Sequence, residues 1–198
     1  MTEFTDLQPF DKSVVTIYGG TEDKRIALTE RFLVHAIYQG DTVALVAPED
    51  RVPHYWETWG VGVTKTDMLD LDEKNRPDLV VAMMPDCDNP YFIAWIANTF
   101  SQDGGRVLIV TDKPIDRRYV VHPFALDLDP FVGSTNERMA AARVGDMSTT
   151  FFMPLPLNSV AVAKAVLDTR ARRALDDTDL GSSSPSDAFI LGYKQGAR

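Results

Sequence analysis

Short, nearly unbroken apolar runs alternate along this chain with longer stretches in which apolar residues return every three to four positions. The first pattern suits strands buried on both faces of a parallel sheet, and the second suits amphipathic helices. Ser13–Tyr18 is the first apolar run and predicts a central strand, broken by Gly19-Gly20. Thr21 then stands as an N-cap before Glu22 and Asp23, whose charges suit the positive end of a helix dipole. Ile26, Leu33 and Ile37 share one face of that helix with help from Phe32 and Ala36, and Gly40 closes it.

The rhythm repeats downstream. Thr42–Ala47 predicts a second strand, Pro53–Gly60 a short helix, Val61–Thr66 an edge strand and Asp67–Asp78 a polar surface connection. Leu79–Met84 is the most apolar run and predicts another central strand. Asn89 and Pro90 form a cap and first turn for a helix that buries Ile93, Ile96, Ala97 and Phe100 and ends at Gly104-Gly105. Arg106–Thr111 predicts a strand, and Tyr119–Leu128 a strand broken around Pro123. Ser134-Thr-Asn-Glu137 has the form of a capping box and predicts a short helix stopping at Gly145. Thr149–Met153 predicts a last strand and Asn158–Leu175 a last helix.

Alternating strands and helices imply right-handed crossovers and an α/β fold of three layers, a mostly parallel sheet with helices on both faces. Residues 1–178 read as one domain, and residues 179–198 as a flexible linker and C-terminal tail. Gly181-Ser-Ser-Ser-Pro-Ser has linker composition, yet Phe189, Ile190, Leu191 and Tyr193 follow it closely. Those four are candidate partner-binding residues, with a fold-back edge strand as the alternative.

With 198 residues, 44% of them hydrophobic, the chain is long enough for one core and too apolar for disorder as its main state. Its net charge of −9 argues against nucleic acid, whose affinity depends on cationic neutralisation. Arg170, Arg172 and Arg173 read as the charged end of the last helix. A single cysteine, Cys87, excludes an intramolecular disulfide and fits a reducing compartment. No apolar run approaches the ~18 residues of a membrane span, and the acidic N-terminus lacks a signal-peptide pattern. A cytoplasmic protein without membrane contact is expected.

Ligands of such sheets bind outside the carboxyl ends of the strands, which directs attention to residues 19–24, 48–51, 85–89 and 111–118. The candidate ligand-binding residues there are Gly19, Gly20, Thr21, Lys24, Asp86 and Asp112. Gly19-Gly20 opening toward Lys24, then Ala27-Leu28…Phe32-Leu33, Thr42–Ala47 and Glu49-Asp50, resembles the RecA/KaiC-like branch of P-loop proteins. The likeness spans roughly residues 13–112 and is one of layout. The strand at Asp78–Met84 falls where that family places its second acidic motif.

The departures from the family pattern decide what the resemblance implies. A phosphate loop needs G-x-x-x-x-G-K-[ST] so that backbone N–H groups, a lysine and a hydroxyl surround the phosphates and Mg²⁺. Here the loop is one residue short, lacks the second glycine, and has Arg25 in place of the hydroxyl residue. Ala82, Met83 and Met84 supply no carboxylate on the other key strand. A degenerate RecA/KaiC-like relative follows, a non-catalytic binding or regulatory module with no catalytic residue, cofactor or metal assigned. It would act through a protein partner, a homo-oligomer or a bound ligand.

The alternative is a small enzyme or binding protein for a phosphorylated sugar or nucleoside, similar in layout to sugar-isomerase (SIS) or deoxyribosyltransferase-like domains. Pro85-Asp-Cys-Asp-Asn lacks the hydroxyls of the first, and Tyr91–Phe100 lacks the glutamate of the second. A flavodoxin-like loop would need more hydroxyls than Thr21 alone. Asp86, Cys87 and Asp88 read as a turn, and His35, His54 and His122 lack sequence-adjacent partners. Tyr55, Trp56 and Trp59 read as packing, and Asp127 and Asp129 as strand-end polarity.

Overall fold

The first apolar run forms β1, Val14–Tyr18, and Thr21 caps α1, Glu22–Gln39, by accepting the Lys24 N–H on its hydroxyl. Gly40 ends α1 in the left-handed region, with φ of 83°. The computed structural model describes residues 2–47, 52–59, 76–84, 89–116, 118–120, 123–129 and 138–179. Beyond α1 come β2 (Val43–Val46), α2 (Tyr55–Thr58), β3 (Leu79–Met83), α3 (Pro90–Phe100) and β4 (Arg106–Val110). Asn89 caps α3 through its side-chain oxygen, and Pro90 occupies the first turn. The chain continues through β5 (Phe124–Asp127), β6 (Met139–Val144) and β7 (Met147–Phe152).

Two units divide the chain, residues 1–157 and residues 158–198. The first carries the sheet, and the second contains α4, Ser159–Asp179. The linker and tail expected over residues 179–198 lie, beyond Asp179, outside the described residues. So do the edge strand expected at 61–66 and most of the connection that follows it.

Among the described residues, seven strands form one sheet in the order β2-β3-β4-β1-β5-β6-β7. The first five in that order are parallel, while β6 is antiparallel to both β5 and β7. This is a three-layer α/β fold, with a sheet order unlike either the 3-2-1-4-5-6 dinucleotide fold or the 2-1-3-4-5 flavodoxin fold. The β1→β2 and β3→β4 connections cross the sheet in opposite directions, so right-handed crossovers put α1 and α3 on opposite faces. Strand alternation agrees. Val80, Ala82, Val107 and Ile109 pack with Ile93, Ile96 and Phe100 of α3. Val15, Ile17, Val81 and Leu108 point the other way, and Leu28, Leu33 and Ala36 of α1 are buried on that side.

The N-terminal segment extends the α1 layer. Two single turns, Thr5–Leu7 and Pro9–Asp11, bring Phe10 to 5.0 Å from Phe32 and Phe4 to 5.7 Å from Phe151. At the amino ends of the parallel strands, Asp78 clamps the β2–β3 pair. Its carboxylate accepts the Thr42 N–H at 2.7 Å and the Thr42 hydroxyl at 2.8 Å, which holds Asp78 below the usual carboxylate range.

One expected element has the wrong type. The helix read from Ser134 to Gly145 is strand β6 over Met139–Val144, while Ser134–Glu137 lies outside the described residues. Met-Ala-Ala-Ala-Arg-Val favours a helix locally, but pairing with β5 on one side and β7 on the other overrides that preference. The overlooked signal was Gly145-Asp146. Val144 pairs with Met147, and Gly145 takes φ of 58° at the first turn position, the geometry of a type II′ hairpin.

Candidate functional site

Connections leave β1 and β4 toward opposite faces, so their carboxyl ends form the switch point where a ligand crevice is expected. Gly19 and Gly20 take φ of 73° and 62° there, conformations that side chains resist. At Gly20 the space is closed as well, since a Cβ would stand 2.9 Å from Cβ of Leu128. The chain therefore needs glycine at this point, whatever it binds.

The main-chain polar groups of the two glycines are already engaged. Gly19 N–H donates to the main-chain oxygen of Asp112 at 3.2 Å. Gly20 N–H donates to the Asp129 carboxylate at 2.9 Å. Arg25 turns its guanidinium back across the loop. Its Nη1 donates to the carbonyls of both Gly19 and Gly20 at 2.9 Å, and Nη2 pairs with Asp112 at 2.6 Å. The crevice between β1 and β4 is thus bridged by the protein itself.

Of the six residues expected to converge, Gly19, Gly20 and Asp112 come together, joined by Arg25. Thr21 serves α1 as its cap. Lys24 runs its stem past Gly20, its Cδ 3.3 Å from where a Cβ would stand. Asp86 lies outside the described residues, as do Phe189, Ile190, Leu191 and Tyr193.

Sequence reasoning missed the neighbours of the loop. Asp127 accepts the Asp129 N–H on Oδ1 at 3.0 Å and Nη2 of Arg143 on Oδ2 at 2.6 Å. A polar chain therefore runs from Gly20 through Asp129 and Asp127 to Arg143 on β6. It borders a cleft of about 660 Å³, lined by Thr16 and Tyr18 of β1, Asp127, Arg143, and Pro114 with Ile115 after β4. The register explains the grouping, because Thr16 pairs with Ala125 and Ala125 with Arg143, all directed to the α3 face. A cleft of this size takes a small molecule, and it offers hydroxyls beside an arginine–carboxylate pair. Among the described residues no three His, Cys, Asp or Glu side chains converge as metal ligands. Arg143 could have been singled out only by knowing that its segment is a strand.

The aromatic cluster is packing. Trp56 and Trp59 are buried, and Tyr55 is half-exposed. Glu30 of α1, itself buried, accepts the Tyr55 hydroxyl at 2.6 Å and the Trp56 indole N–H at 3.1 Å on the same oxygen. Burial, reinforced by Glu30, pushes the Tyr55 hydroxyl well above its ordinary pKa.

A scan against protein-family models and a search of curated proteins each found no match to this chain. Among the described residues no helix is long and apolar enough to cross a membrane.

Proposed function

We propose that this chain is a non-catalytic binding module, a degenerate RecA/KaiC-like domain whose nucleotide loop has been closed by its own side chains. The observation that carries the reading is the pair of contacts at that loop: Asp129 on the Gly20 amide and Arg25 across both glycine carbonyls. A carboxylate already holds the position an anion would need, and the Arg25–Asp112 pair spans the switch point.

Phosphoryl transfer is positioning and charge stabilisation, and this loop supplies neither. Purified protein incubated with Mg²⁺-ATP or Mg²⁺-GTP is expected to release no phosphate above background. Turnover that disappears in Lys24→Ala overturns the reading. The cleft beside Arg143 and Asp127 favours a second reading, a small enzyme or binding protein for a phosphorylated sugar or nucleoside. A thermal-shift screen of nucleotides and sugar phosphates separates the two, because only the second requires a saturable shift from those compounds.

The module's partner is a protein or a second copy of the chain, engaged in the cytoplasm through Phe189, Ile190, Leu191 and Tyr193. Support comes from four large apolar residues crowded behind a linker-like sequence in an otherwise acidic chain. Deleting residues 181–198 should leave the melting temperature unchanged and abolish association in analytical ultracentrifugation or pull-down. A fall of several degrees with association intact would instead assign the segment to the protein's own sheet.

A further inference from the structure

A second crevice, of about 340 Å³, lies beside the C-terminal half of α1, apart from the glycine loop. Arg31, Val34, His35 and Tyr38 face it with the spacing of one helix face. The N-terminal turns contribute Phe4 and Phe10. Phe10 lies flat against the His35 ring, their centroids 4.3 Å apart, and Tyr38 is exposed at 42%. With Phe152, these rings give the crevice an aromatic side.

The polar component is cationic. Arg31 donates through Nη2 to the main-chain oxygen of Leu155, and Arg138 donates to that of Met153 at 3.0 Å. These carbonyls stand two residues apart on the segment after β7, so both guanidinium groups are held along it. Glu3 is the acidic residue among those lining the crevice. Among the described residues Arg31 forms no ion pair, and its buried Nε has no hydrogen-bond partner. The guanidinium thus meets the crevice without a paired counter-ion, which an anionic ligand would supply. Desolvation lowers the Arg31 pKa, and the nearby charge of Glu30 opposes that shift only in part.

We propose that this crevice binds a small aromatic carboxylate, its ring against Phe10 and Tyr38 and its carboxylate on the Arg31 guanidinium. An aromatic body matches the aromatic part of the walls, a single anionic group matches the positive charge of Arg31, and the volume admits one ring with a short substituent. The site uses none of the residues of the closed loop, so it stands or falls separately from the reading above.

Isothermal titration of the full chain at constant ionic strength, with sodium benzoate and its uncharged isostere benzamide, tests the proposal. Benzoate should bind saturably with Kd on the order of 1–10 mM, as its few heavy atoms allow, and benzamide about 10-fold more weakly. Arg31→Gln should remove that preference by weakening benzoate about 10-fold while leaving benzamide unchanged. If Arg31→Gln does not fold, Arg31→Lys, which keeps the charge without the fork, should weaken benzoate about 3-fold. Non-saturable benzoate binding, equal binding of benzamide, or unchanged benzoate affinity in the folded arginine variant overturns the proposal.

Discussion

Arg25→Ala should lower stability by about 2–3 kcal/mol and the melting temperature by roughly 4–12 °C. The arginine is almost fully buried, at 9% exposure, and serves three acceptors at once: the carbonyls of Gly19 and Gly20 and the carboxylate of Asp112. Alanine leaves all three unfilled. The Asp112 side chain is 41% exposed, so water recovers part of its share, and the loss stays below that of a fully buried ion pair. Asp112→Asn is the informative comparison. It keeps the main-chain oxygen that accepts the Gly19 N–H and removes only the screened charge, so about 1 kcal/mol is expected. Equal losses in the two variants, measured by urea denaturation, would mean that the carbonyl contacts contribute nothing and that the loop is not held shut by Arg25.

The sequence made much of this fold legible because the strands of a parallel sheet are buried on both faces. Val14–Tyr18 and Leu79–Met83 announce themselves as unbroken apolar runs, and Thr21, Gly40 and Asn89 mark helix ends by local chemistry alone. The antiparallel edge was not legible in the same way. Met139–Val144 is strand by virtue of its neighbours, and its alanines carry no period-two signal. The site divides along the same line. Gly19, Gly20 and Asp112 were reachable from the rule that ligands gather at carboxyl strand ends, and Arg25 was recognisable as a departure from a phosphate loop. That Asp129 reaches back 109 positions to the Gly20 amide follows only from β1 and β5 lying side by side. Arg143 and Asp127 meet for the same reason, through a strand pairing that no local pattern encodes.

Glu30→Ala should lower stability by about 3–4 kcal/mol. Glu30 lies on α1 at 5% exposure, and one of its oxygens accepts both the Tyr55 hydroxyl and the Trp56 indole N–H. Trp56 is fully buried, so its N–H has no route to water once that acceptor is gone, and the truncated side chain also leaves a cavity. Glu30→Gln retains the volume and an acceptor oxygen and should cost only about 1 kcal/mol, the part due to charge. Tyr55 provides a separate readout of that charge. Its hydroxyl is raised by burial first and by Glu30 second, so in the native protein it should stay protonated well past the ordinary tyrosine value near 10. The stability linked to this shift is fully present below the unfolded-state pKa and is lost as pH rises through the folded one. Alkaline titration followed at 295 nm should therefore show Tyr55 ionising late in the wild type and earlier in Glu30→Gln. An unchanged Tyr55 titration in that variant, or a loss below 1 kcal/mol in Glu30→Ala, would show that the contact between α1 and α2 rests on apolar packing alone.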